Sequence, residues 1–120
     1  MFDHVGLKVS SLATSIKFYR DALGALGHEL VDSGDGYAGF GSTGQPMLWL
    51  YEHKGTVGPG THVALRAANR KEVQRFHASG LKSGGRDNGV PGLRTAYSPE
   101  YYAAFLFDPD GHNVEAVCFN

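Results

Sequence analysis

Asp3-His4-Val5-Gly6-Leu7-Lys8-Val9, near the start of the chain, returns in its middle as Thr61-His62-Val63-Ala64-Leu65-Arg66-Ala67. His4 and His62 stand 58 residues apart (62 − 4), and Phe18 and Phe76 downstream keep the same offset. Each copy alternates as a half-buried strand does, then runs into a stretch whose apolar residues follow helical spacing. A repeat of this length implies two similar supersecondary units, with one histidine at the same point of each. A pseudo-twofold between such units can bring both imidazoles to one point, the geometry a metal site needs.

Reading outward, Ser10-Ser11 offers an N-cap for a helix from Leu12 to Leu23, ended by Gly24 or Gly27. Glu29 to Asp32 reads as a short strand. Tyr37 to Gly41 and Met47 to Glu52 form a hairpin joined by Ser42-Thr43-Gly44-Gln45-Pro46. The first half is therefore β-α-β-β-β, followed by a linker over 54–60. In the second half, Asn69 with Glu72 three residues on forms a capping-box pattern before a helix that stops at or soon after Gly80. Ser83 to Pro99 reads as a long loop enclosing one short strand near Lys82-Ser83 or Thr95. Tyr101 to Phe107, the turn Asp108-Pro109-Asp110-Gly111 and Asn113 to Phe119 make the final hairpin. The expected fold is α+β: one domain over 1–120, built of two βαβββ repeats (about 1–53 and 61–120) that form a curled mixed sheet around a cleft, with helices on the outer face.

Composition excludes several roles. A formal net charge of −1 gives no basic field for nucleic acid. No apolar run approaches the ~20 residues of a membrane span. The lone Cys118 forms no internal disulfide, so a cytoplasmic, reducing setting is expected, with Cys118 buried as a small apolar residue.

His4, His62 and Glu115 are the candidate metal ligands. Two imidazoles and a carboxylate from three strands leave coordination positions open, which suits iron, manganese, zinc or nickel. Glu115 lies between Val114 and Ala116, where an acid turned into a packed core needs a partner. Aligning the two final hairpins needs an offset of 66 residues (115 − 49), which matches Glu115 with Trp49. The residues by themselves leave structural histidines and a solvent-facing glutamate as an equal alternative. The other histidines, His28, His53, His77 and His112, are assigned to surface or helix positions, and His112 is expected to be exposed after its turn.

Together these stretches resemble the vicinal oxygen chelate superfamily of glyoxalase I, extradiol dioxygenases, bleomycin-resistance proteins and fosfomycin-resistance transferases. The carrying residues are Asp3 to Val9, Ser15 to Tyr19, Leu23-Gly24, His62 to Leu65 and the closing Phe107-Asp108-Pro109-Asp110-Gly111-His112-Asn113-Val114-Glu115. The resemblance implies paired βαβββ modules around a metal-bearing cleft, with His4, His62 and Glu115 on three ligand positions. It also implies a homodimer and a small-molecule substrate that chelates the ion through two oxygens.

Departures narrow the choice. Glyoxalase I enzymes carry a fourth ligand, usually glutamate, where this chain has Trp49; Glu52 faces the other side of that strand and does not replace it. Fosfomycin-type thiol transferases are similar at Leu48-Trp49-Leu50, yet have threonine where Gly6 stands and tyrosine where Phe105 stands. Bleomycin-resistance-like binders use the fold without metal, between aromatic walls, a role open to Trp49 and Tyr51. The expectation is a metal-dependent lyase or dioxygenase, with a metal-free binder or a thiol transferase as alternatives. Substrate contacts are expected from Trp49, Tyr51, Arg94, Tyr97, Tyr101 and Phe105. The stretch from Gly84 to Tyr102 either covers the cleft mouth as a lid, with Arg94 and Tyr97 orienting an anionic or phenolic group, or lies on the surface as a solvated loop.

Overall fold

The computed structural model describes all residues, Met1–Asn120. Its elements are β1 (Val5–Val9), α1 (Leu12–Gly24), β2 (Glu29–Gly34), β3 (Tyr37–Ser42), β4 (Gln45–Glu52), β5 (His62–Arg66), α2 (Arg70–Lys82), β6 (Arg86–Leu93), β7 (Tyr102–Phe107) and β8 (Asn113–Cys118). The βαβββ order occurs twice in an α+β fold. Each module makes a four-stranded mixed sheet, β1-β4-β3-β2 and β5-β8-β7-β6, and neither sheet closes. In both, the first strand runs parallel to the last and stands at the outer edge.

Local chemistry accounts for the helices. The Ser11 side chain accepts from the Thr14 N–H, and Asn69 accepts from the Glu72 N–H at 2.9 Å. Glu72 reaches back to the Ala68 N–H at 2.7 Å, one residue beyond the reciprocal partner of a capping box. Phe18, Tyr19, Ala22 and Leu23 of α1 and Val73, Phe76 and Gly80 of α2 are buried. All but Gly80 belong to one hydrophobic cluster of 20 residues drawn from both modules. Gly80 permits the close approach, since a Cβ there would lie 3.2 Å from Phe18 Cε1 and closer still to Leu106.

Two expectations about strands are corrected. The hairpin from Tyr37 to Glu52 turns on Thr43-Gly44 alone, with φ of 51° and 76°, the pair of positive values that a two-residue hairpin turn requires. Gln45 and Pro46 therefore belong to β4. Proline is tolerated there because β1 pairs with β4 only from Leu48 onward, and a bulge lies at Phe40/Gly41. Arg86–Leu93 is an eight-residue strand where the sequence reads as loop. Gly89, Pro91 and Gly92 erase its alternation, and an outer strand with two register irregularities accommodates them.

The closing motif clasps the modules together. Asp108, 1% exposed, accepts from the backbone N–H groups of Asp110 and His112 and from the Tyr19 hydroxyl of α1 at 2.6 Å. Burial, and next the Asp108 charge, push the Tyr19 phenol well above its ordinary value. Asp110 accepts from the Ser10 N–H and hydroxyl at the end of β1. His112 is buried rather than exposed, because its Nε2–H donates to the Lys8 carbonyl at 2.9 Å and the ring plugs the seam between modules. His77 is buried as well, and its Nε2–H donates to Asp87 at 2.8 Å. Cys118 is buried, as expected.

Candidate functional site

Each sheet carries one helix on one face, and residues of its outer strand point alternately to the helix and away from it. In β5, His62, Ala64 and Arg66 are the exposed set. Register places Glu115 of β8 beside Ala64 and beside Phe105 of β7, so the acid shares this open face. The His62 Nε2–H donates to Glu115 Oε1 at 2.8 Å, and the Tyr101 hydroxyl donates to Oε2. Glu115 is 1% exposed while the His62 side chain is 52% exposed, so the carboxylate is sealed and the imidazole faces solvent. Both carboxylate oxygens have a partner, as a buried acid requires.

Tyr101 is held by its neighbours. Its ring meets Tyr97 edge-on at 5.0 Å and Phe119 edge-on at 5.2 Å. Burial, and next the bond to Glu115, push its phenol up to about 12, so it remains a donor at neutral pH. The connection from Arg94 to Tyr101 turns tightly over this face: the Arg94 N–H donates to the Tyr101 carbonyl at 2.7 Å, and the Tyr97 N–H to the Arg94 carbonyl at 2.9 Å. The stretch from Gly84 to Tyr102 is therefore an outer strand followed by a turn that packs its aromatic rings around Glu115.

The first sheet presents a different face. Trp49 lies across from Gly6 and from Gly39. A Cβ at Gly39 would lie 2.7 Å from the indole, and one at Gly6 would lie 2.9 Å from the Tyr51 ring. The rings thus lie down on glycines. Trp49 and Tyr51 are nearly parallel (17°, centroids 6.4 Å apart), and Tyr37 continues the row at 6.2 Å from Trp49. Glu52 points the other way, its carboxylate accepting from the Leu12 N–H at 3.3 Å.

Two of the three candidate ligands come together, His62 and Glu115. Within one chain no group of three His, Cys, Asp or Glu residues is placed to hold an ion. His4 pairs with its neighbour Asp3 at 2.6 Å. The register gives the reason. His112 bonds the Lys8 carbonyl, and the next residue, Asn113, is the partner of His62. His62 therefore begins its strand near the far end of β1, while His4 lies four residues back, roughly 13 Å of extended chain.

The arginines were only partly anticipated. Arg94 stacks on Phe105 (5.4 Å), and Arg66 stacks on Phe119 (4.8 Å). Arg66 and Phe119 were legible in principle, since they share the alternation of His62 and Glu115. Between the modules, β1 and β5 border an apolar groove of about 360 Å³ lined by Phe2, Val5, Met47, Leu48, Val63 and Leu65.

The family model described as Glyoxalase/Bleomycin resistance protein/Dioxygenase superfamily matches residues 1–116. The chain belongs to this superfamily. It is similar to a glyoxalase/bleomycin resistance protein from Albidiferax ferrireducens T118, at 28% identity over 98% of this chain and 97% of that one, with a TM-score of 0.85. Glyoxalase I from Zea mays is 26% identical with a TM-score of 0.70; the match covers 95% of this chain but 44% of the plant chain. A superfamily enzyme from Burkholderia phytofirmans PsJN, 14% identical over 98% of both chains with a TM-score of 0.77, shares the fold. No curated protein matches. Superfamily membership supports small-molecule binding or catalysis. No helix is long and apolar enough to cross a membrane.

Proposed function

We propose that this superfamily member is a metal-dependent small-molecule enzyme of the glyoxalase/dioxygenase type, with His62, Glu115 and His4 as its metal ligands. The observation that carries the reading is the His62–Glu115 pair at 2.8 Å on the open face of the second sheet. Two ligand atoms each ~2.1 Å from one ion at right angles lie ~3 Å apart, so this spacing fits a pair on one cation. Ligation through Nε2 requires the neutral tautomer with its proton on Nδ1. A bound divalent ion, whether iron, manganese, zinc or nickel, supplies Lewis-acid polarisation to a substrate that chelates it through two oxygens.

The chain's own residues set the conditions around that centre. Tyr101 fixes the orientation of the Glu115 carboxylate, as outer-shell partners of metal ligands do. Phe105, Tyr101 and Phe119 keep water from the carboxylate's inner side. Tyr97 and Arg94 flank the approach, and Trp49 and Tyr51 offer ring faces to an apolar or planar part of a ligand. His4 is contributed by a second copy in a homodimer. Support for this comes from the separation of His4 and His62 within one chain, from the unpaired outer edges of β1 and β5, and from the apolar groove between them.

Complementation tests the shared site. His4→Ala and His62→Ala variants, each alone, are expected to lose tight zinc or nickel binding measured by calorimetry. Unfolded and refolded together, they regain one intact site per mixed dimer. A monomer in sedimentation, or a mixture as deficient as its parents, overturns the shared site. The Tyr37-Trp49-Tyr51 row favours a second reading, a metal-free binder of planar molecules; quenching of Trp49 fluorescence by a planar ligand, unaffected by chelator or by His62→Ala, decides for it.

A further inference from the structure

The arginine beside the centre is built into place. Arg94 Nη2 donates to the Val90 carbonyl at 2.6 Å, and the guanidinium lies 5.4 Å from the Phe105 ring centre. Two glycines make room for it. A Cβ at Gly89 would lie 3.2 Å from Nη2 and 2.8 Å from Phe105, and a Cβ at Gly92 would lie 3.1 Å from Nη1. No carboxylate lies within ion-pairing distance of Arg94, while the protein's one arginine–carboxylate pair joins Arg70 to Glu100. Holding a guanidinium by one carbonyl and one ring leaves most of its five N–H donors free.

Its position relative to the pair is fixed by register. Gly89, Phe105 and Glu115 lie side by side on β6, β7 and β8, and the Phe105 ring also stands 6.4 Å from the His62 ring. Arg94 over Gly89 and Phe105 thus lies between one and two strand spacings, ~5–10 Å, from the Glu115 row. That is roughly the length of one small ring plus its substituents.

We propose that Arg94 determines specificity by binding an anionic group, a carboxylate or a phosph(on)ate, on a substrate whose other end engages the His62–Glu115 centre. The inference deepens the enzyme reading and rests on it for the second end of the ligand, but the anion subsite itself needs no metal. A fixed planar fork suits carboxylate and phosphoryl oxygens, which it meets with two parallel bonds. Because the fork is set in advance, little ordering is needed on binding. Arg66, stacked on Phe119 with no polar anchor, does not define a subsite in this way.

The test uses metal-free protein, with benzoate, phenylphosphonate and uncharged benzamide as probes, followed by the arginine Nε–H signals in NMR. Benzoate or phenylphosphonate is expected to shift the Arg94 signal, the tighter of the two naming the anion, with benzamide at least about 10-fold weaker. Arg94→Gln lowers anion affinity by a similar factor, and Arg94→Lys, which keeps charge but not the fork, falls between. Gly92→Ala keeps the arginine but displaces it, and lowers affinity in the same direction. Arg75→Gln, on the exposed side of α2, changes nothing. Equal binding of benzamide, or unchanged anion binding in Arg94→Gln with native thermal stability, overturns the proposal. Zinc titration of the same variants separates the two readings. Anion binding lost with zinc binding kept is the expected result for Arg94→Gln, whereas absence of zinc binding in the unmodified protein defeats the enzyme reading and leaves the anion subsite standing.

Discussion

Across from Ala64 in the second sheet stands Glu115; across from Gly6, at the same point of the first, stands Trp49. One position of a repeat thus carries a sealed carboxylate in one module and an indole lying on glycine in the other. The surroundings differ to match. Glu115 draws donors from His62 on the neighbouring strand and from Tyr101 beyond the sheet, because a buried charge without them is costly. Trp49 needs only the missing Cβ of Gly39 and a row of rings beside it. The comparison teaches that a strand position acquires a role through its cross-strand neighbours, so two copies of one scaffold can carry a polar centre and an apolar platform.

The largest expected effect separates the two faces by ion binding. Loss of a residue that merely supports a metal ligand weakens affinity 10–100-fold, so His62→Ala should weaken zinc binding by more than about 100-fold in calorimetry. Trp49→Ala should leave it unchanged. Conversely, Trp49→Glu sets an acid beside the strand of His4 and should tighten zinc binding at the shared site without adding a second one; an unchanged affinity would show that position 49 does not face the ion.

Next comes the cost of leaving the carboxylate short of a donor. Tyr101→Phe strands one oxygen of Glu115 and should lower stability in urea by about 1.5–3 kcal/mol. Tyr51→Phe, on the exposed platform, should change it by less than about 0.5 kcal/mol. Equal losses would erase the distinction.

A smaller effect concerns the platform itself. Gly39→Ala pushes against the indole and should cost on the order of 1 kcal/mol. Trp49 is the chain's single tryptophan, so its lifted ring should report through red-shifted emission. Unchanged emission would mean that the ring does not depend on that glycine.

The smallest lies on the helix side of the second sheet. The bond from His77, and next the Gly89 N–H, hold the Asp87 carboxyl below 3.8. Folding favours the ionised form here, so its contribution is present above the unfolded value and fades as pH falls through the depressed one. NMR titration should place Asp87 below the ordinary range, and His77→Ala should return it there.

Much of this was legible because periodicity and end signals are local. The strand of His4, the caps at Ser11 and Asn69, and the Asp108 to Gly111 turn all follow from near neighbours in the chain. β6 was not legible, since glycine and proline hide a strand that only pairing with β7 reveals. His112 misled for the opposite reason: a residue beside a turn is ordinarily solvated, and here another module covers it. Glu115 and His62 were legible as a pair through the repeat, but the distance from His4 was not, because no pattern states how two modules dock.

By itself the sequence determined the doubled βαβββ order and the faces on which His62, Glu115, Trp49 and Tyr51 lie, both consequences of alternation and repetition along one chain, while the family was carried by the resemblance of its motifs. The tertiary structure decided which of those residues touch. The docking of α1 on α2 and the Asp108–His112 clasp separate His4 from His62, and the bare backbone of Gly89 and Gly92 is what admits the Arg94 guanidinium beside Phe105. These contacts join residues distant in sequence, and their geometry comes from packing, which no local propensity encodes.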